Sequence, residues 1–272
     1  MSDNWVVQNL QNALETWNEK LAEIWQLITT TPQNFKGGGI WAVIVNINGA
    51  VQAIGLALLV LFFVVGMVKT CGSFAEVKKP EHAVKLFIRF ALAKAGITYG
   101  MELMLALFNI VQGTIGTIMT AAGFTSAQQT TLPQEMIDTI ESCGFFESIP
   151  LWAVTLIGGL FITVMSFLLI MTVYGRFFKL YMYTALAPIP LSTFGNREQS
   201  NIGQNYLRSL FAIGFQGFLI MICVGIYAVL IQSIAFSDDI IGSIWGVMGY
   251  TVLLCFTLFK TGSLAKGVFS AH

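Results

Sequence analysis

Five long apolar stretches set the hydropathy pattern of the chain, at residues 40–68, 95–122, 149–175, 207–236 and 240–259. Each approaches or exceeds the roughly 20 residues a helix needs to cross about 30 Å of hydrocarbon, so each predicts a membrane-spanning helix. The first is longer than a crossing requires. Its early part carries Asn46, Asn48 and Gln52, so only about 49–68 need lie in lipid. The fourth and fifth stretches are joined by Ser237, Asp238 and Asp239 alone, which predicts an antiparallel hairpin. The N-terminus has a different period. Leu10, Leu14, Trp17, Leu21, Ile24 and Ile28 recur at steps of four and three, with Glu15, Glu19 and Lys20 off that stripe. The pattern predicts an amphipathic helix over residues 1–31. Two arrangements fit it: a helix lying on the membrane surface or packed on its own bundle, and a helix pairing with copies of itself or with a partner. Pro32 ends it, and Gly37, Gly38 and Gly39 form a joint. No Gly-Lys-Ser/Thr follows these glycines, so they are not a phosphate loop.

Composition and charge sharpen this pattern. Of the 272 residues, 56% are hydrophobic and 10% charged, against about 25% charged in soluble domains. Net charge is zero, so no overall field favours a polyanionic partner. The distribution of charge is informative where the total is not. With the N-terminus outside, Lys69, Lys78, Lys79, Lys85, Arg89, Lys94, Arg176, Lys179, Arg197, Arg208, Lys260 and Lys266 are cytoplasmic. That is twelve of the 14 basic residues, leaving Lys20 and Lys36 outside. Segment 123–148 has no Lys or Arg but carries Glu135, Asp138, Glu141 and Glu147, as an external loop should. The expected fold class is all-α, a polytopic membrane bundle. It comprises an external N-terminal helix within 1–36 and a five-span domain over 40–266, with loop 123–148 outside and segments 69–94 and 176–208 cytoplasmic. The expected location is the cytoplasmic membrane, with the C-terminus inside. No cleavable signal peptide is expected, because the first thirty residues carry Asp3, Glu15, Glu19 and Glu23 and lack a positive start.

A few residues stand out against this background. Glu102 falls about seven residues into the second stretch, roughly 10 Å along it. A carboxylate at that depth is costly, so it lines a water-filled path, bonds a neighbouring helix, or marks a span that starts later. Asn109, seven residues on, shares its face, and Gln112 follows. Gly96 with Gly100, and Gly242 with Gly246, have the spacing that permits close helix packing. Lys78, Lys79, Lys85, Arg89 and Lys94 interleave with apolar residues, as in a basic helix at a membrane surface. Between Arg176 and Leu191, Pro188 and Pro190 predict a helix break and a half-helix on the cytoplasmic side.

This last stretch carries a resemblance. Arg176-Phe177-Phe178-Lys179, then Ala185-Leu186-Ala187-Pro188-Ile189-Pro190 after a long span, is similar to the TrbL-type polytopic subunit of conjugative type IV secretion systems, above all its short Gram-positive form. The basic run Lys85 to Lys94 before a span fits the same family, and the resemblance covers about residues 40–260. It implies an oligomeric channel or scaffold subunit with no catalytic residues. The implied neighbours are a secretion ATPase, other membrane subunits and, in passing, a DNA–relaxase substrate. The basic 69–94 segment, together with Arg176 and Lys179, would then contact the ATPase or anionic lipid of the bilayer.

Enzyme chemistry finds no footing. Only His82 and His272 are present, and neither H-E-x-x-H nor Gly-x-Ser-x-Gly occurs. Cys71, Cys143, Cys223 and Cys255 lack zinc spacing, and no cofactor is expected. Two other functions remain open: a small secondary transporter, disfavoured because only one broken segment occurs, and a membrane anchor for a cytoplasmic ATPase.

Overall fold

The computed structural model describes residues 4–71, 80–121, 131–232 and 240–271. Within them the chain is helical, with no strand. The helices are α1 (Trp5–Thr29), α2 (Gly39–Cys71), α3 (Pro80–Thr98), α4 (Gly100–Ala121), α5 (Gln134–Ser142), α6 (Phe145–Leu186), α7 (Pro188–Ser192), α8 (Ser200–Gln232) and α9 (Ile240–Val268). Among the described residues, five segments are long and apolar enough to cross a membrane: Phe35–Lys69, Gly100–Ile118, Ser148–Leu186, Ser200–Ile231 and Ile241–Val268. They coincide with the five apolar stretches of the sequence.

The described residues fall into two compact units. One comprises Met1–Thr29, Ile115–Gly175 and Gly217–Gly262; the other comprises Thr30–Thr114, Arg176–Gln216 and Ser263–His272. In the first, α1 packs along the spans. All six residues of its predicted stripe are buried, as are Val6 and Val7. Val6, Val7 and Leu10 join Met136 and Ile140 of α5, Leu151 of α6, and Ile244 and Met248 of α9 in one apolar cluster. Segment 123–148 thus contributes a short helix to that core. The apolar stripe of the N-terminal helix is thus packed on helices of its own chain.

The second unit is organised around α2. Asn48 Nδ2 donates to the Thr184 carbonyl at 2.7 Å, and Gln52 Nε2 donates to the carbonyls of Ile97 and Thr98, both at 3.1 Å. One turn on, a Cβ placed on Gly55 would lie 2.7 Å from both the Cβ and the carbonyl oxygen of Pro188. Lys69, near the end of the helix, pairs with Glu198. The break predicted at Pro188 falls there: α6 stops at Leu186, and α7 opens with Pro188 at its first position, where the missing N–H costs nothing. Residues 176–186 upstream continue α6, which runs for 42 residues. Ahead of α2, Lys36, Gly37 and Gly38 take positive φ of 50°, 73° and 80°. Two of these three positions are glycines, the residue best suited to that region.

Candidate functional site

The polar residues of α4 come out on one exposed face. The helix buries Met104, Leu107, Phe108 and Ile115; on its exposed side, next to the apolar Leu103 and Ile110, stand Glu102, Ala106, Asn109, Gly113, Thr117 and Thr120 at steps of three and four. Gln112 is half-buried beside that row. The row is made of small and polar side chains, although α4 is one of the five candidate spans. Glu102 stands in the first turn of α4, nearer the edge of the span than the sequence pattern suggests, because the candidate span starts at Gly100 rather than at 95. Asn109 lies well inside that span.

The basic segment is only partly described: Lys78 and Lys79 lie outside the described residues. Lys85 and Arg89 line a cavity of about 380 Å³ whose other walls are apolar, from α3 (Ile88, Leu92, Ala93), α4 (Leu103, Met104), Leu191, Phe194 and Leu207. Lys94 and Lys179 are exposed. Arg176, expected at a contact surface, is instead only 6% exposed. Its Nε donates to the Ile213 carbonyl at 3.2 Å and its Nη2 to the Gly214 carbonyl at 3.3 Å. Two of its three nitrogens thus donate to backbone carbonyls of α8 and tie the two helices together, while Nη1 is buried without a hydrogen-bond partner. Its position in a run of exposed Phe178 and Lys179 gave no hint of this. Only the helical register, which puts Arg176 on the side of the buried Val173, Phe177 and Leu180, separates it from them.

The glycines divide in a similar way. Nothing stands within 4 Å of a Cβ built on Gly96, and one on Gly100 meets only the Leu191 side chain at 3.5 Å. Gly242 is exposed and Gly246 half-buried. The closest approaches lie elsewhere: Gly195, whose Cβ would lie 2.6 Å from Leu59 Cδ1, Gly55 against Pro188, and Gly203, whose Cβ would lie 2.7 Å from the Phe194 ring and 2.9 Å from the Pro190 carbonyl. Pro188 and Pro190 thus sit in a junction sealed by glycines of α2 and α8. Tyr181 Oη adds a 2.8 Å bond to the Pro32 carbonyl.

The arrangement is built from helix contacts and side-chain hydrogen bonds to backbone carbonyls. Among the described residues no group of three or more His, Cys, Asp and Glu is placed to hold a metal ion. Its distinctive features are polar faces on membrane-length helices. A family model described as TrbL/VirB6 plasmid conjugal transfer like protein matches residues 17–188. No curated protein matches the chain, and no solved structure does.

Proposed function

The chain belongs to the TrbL/VirB6 plasmid conjugal transfer family, and from that membership we propose that it assembles with copies of itself in the cytoplasmic membrane to form part of the path by which DNA and attached protein leave the cell. The observation that carries this reading is the outward face of α4. Asn109, Gly113, Thr117 and Thr120 are exposed on a helix of span length. Lipid offers the Asn109 amide no hydrogen-bond partner; a neighbouring subunit or a water-filled path does. Five spans of one chain do not enclose a passage wide enough for DNA, so several copies or other subunits must contribute walls. The positive-inside distribution supports an external N-terminus and a cytoplasmic C-terminus. The secretion ATPase and other membrane subunits are the partners that the family implies.

The basic segment has two candidate partners, the ATPase and anionic lipid. An apolar cavity of about 380 Å³ with Lys85 and Arg89 on its wall favours lipid, since an acyl chain suits the apolar walls and a phosphate the two cations. Lys85→Gln with Arg89→Gln is expected to reduce the anionic phospholipid that copurifies with the protein; unchanged lipid content would return the segment to the ATPase.

The test of the main reading is the mass of the complex extracted in mild detergent, by native mass spectrometry. A defined homo-oligomer is expected, and Asn109→Leu is expected to weaken it or to lower plasmid transfer at an unchanged membrane level of the protein. A monomer that transfers plasmid normally when Asn109 is leucine would defeat it. The secondary transporter and the simple ATPase anchor would then be the functions to pursue.

A further inference from the structure

Helices α3 and α4 are nearly one helix. Only Tyr99 separates them, and the helical bonds run through it. The Tyr99 N–H donates to the Ala95 carbonyl at 2.8 Å, and the Leu103 N–H donates to the Tyr99 carbonyl at 3.0 Å. At this joint the carbonyls of Ile97 and Thr98 also accept from Gln52 Nε2 of α2. Gly96 and Gly100 stand on either side of it. A Cβ on Gly96 would meet nothing within 4 Å, and one on Gly100 would meet only Leu191.

The cavity that holds Lys85 and Arg89 follows the joint. Its lining steps from these two residues through Leu92 and Gly96 to Gly100 and Leu103, a single helical face at steps of three and four. Fourteen residues separate Arg89 from Leu103, about 21 Å at 1.5 Å per residue. Leu191, Phe194 and Leu207 form the opposite wall, and all of these residues belong to one compact unit. The slot therefore leads from the basic segment to the first turn of α4, where a candidate span begins at Gly100. Among its described lining residues are two cations and no carboxylate.

Shape and charge together select the occupant. A helix about 21 Å long and about 10 Å across takes up roughly 1,600 Å³, far more than the cavity of about 380 Å³. A compact anion would satisfy the two cations but leave the long apolar remainder to water, which is unfavourable. One hydrocarbon chain with an anionic head matches both ends.

We propose that the slot seats one acyl chain of an anionic phospholipid, which runs from a head at Lys85 and Arg89 across Gly96 and Gly100 and against Leu191 and Phe194. That this segment takes anionic lipid rests on the reading given above; the seat for the chain goes beyond it. The two glycines have the spacing of a helix-packing pair, but here they keep the slot open for the chain. The lipid fills the space between the α3–α4 joint and the residues that follow Pro188 and Pro190, and so becomes part of the packing of this unit.

Two readouts on the full-length protein test the seat. One is the phospholipid carried through extraction in mild detergent, by mass spectrometry. The other is the melting temperature of the delipidated protein with added phosphatidylglycerol or with inorganic phosphate. Gly96→Leu fills the slot and leaves both cations in place. Nothing opposes its Cβ within 4 Å, and leucine is the better helix former, so its membrane level is expected to hold. Gly96→Ala adds one methyl and serves as the control. Wild type and Gly96→Ala are expected to carry phospholipid and to melt higher with phosphatidylglycerol but not with phosphate. Gly96→Leu is expected to lose both the lipid and the shift. A Gly96→Leu protein that keeps both overturns the seat. In that case, loss of lipid from Lys85→Gln with Arg89→Gln would leave head-group binding without a seated chain. Lipid retained there as well would also remove the lipid reading of the basic segment and return it to the ATPase. Stabilisation by phosphate equal to that by phosphatidylglycerol overturns the acyl chain, because the site would then bind an anion alone.

Discussion

Helices α1 and α2 solve opposite problems. Helix α1 turns its large apolar residues inward, from Val6 to Ile28, and its amides and carboxylates outward. Helix α2 does the reverse. Val43, Ile54, Val60, Leu61, Val64 and Val68 are exposed. The residues by which α2 meets its own unit include Asn48, Gln52, Gly55 and Lys69 beside the apolar Trp41, Leu59 and Phe63. In water, apolar burial drives packing, and a helix shows its partners its greasiest side. In lipid the surroundings are as apolar as the protein, so hydrogen bonds and close backbone approach select the inward face. Helix α2 is built for the second solvent. Helix α1 is built for the first, although it packs on helices of span length.

The largest effect expected from breaking this contrast is at Trp17. It is 1% exposed and packs on Tyr227. Trp17→Ala removes the central anchor of α1 and should cost about 3 kcal/mol, the low end for aromatic truncation, since part of the transfer term vanishes when lipid can fill in. A lower melting temperature of the detergent-solubilised protein, together with new protease cleavage within residues 5–29, is the expected result. Unchanged melting and protection would mean that α1 is held by something other than its apolar stripe.

The inward face of α1 was legible because apolar residues kept to one side over 25 residues rarely arise except in a helix with one buried face. The spans were legible by length. The contact face of α2 was not, because a helix apolar on most sides carries little asymmetry to say which side meets protein. Asn48 and Gln52 look like residues kept out of lipid at the edge of a span. Instead, Asn48 is buried and both donate to carbonyls of other helices. The glycine motifs share this ambiguity: Gly96 and Gly100 have the spacing for close approach, but the approach is made by Gly55, which belongs to no such motif. Spacing says where a helix could come near, and only the partner, here Pro188, says where it does. The polar face of α1 was visible as a pattern, but what the apolar face packs on was not, since amphipathicity is the same at a membrane surface as beside a span.

A smaller and sharper test sets one substitution on each helix. Leu61 is 55% exposed on α2, in the stretch of that span free of charge, and Glu15 is exposed on α1. Leu61→Lys places an ammonium where the outward face is apolar and should cost about 2.5–3.5 kcal/mol of insertion, read as loss of membrane-integrated protein. Part of that cost is recovered if the lysine reaches the interface along its flexible stem. Glu15→Lys exchanges one hydrated charge for another and should leave integration unchanged. The two lysines have the same length, charge and helical setting, so the outcome depends on the solvent each meets. Equal loss at both positions would mean that α1 and α2 face the same medium, and the polar stripe of α1 would then have to be covered by protein instead of water.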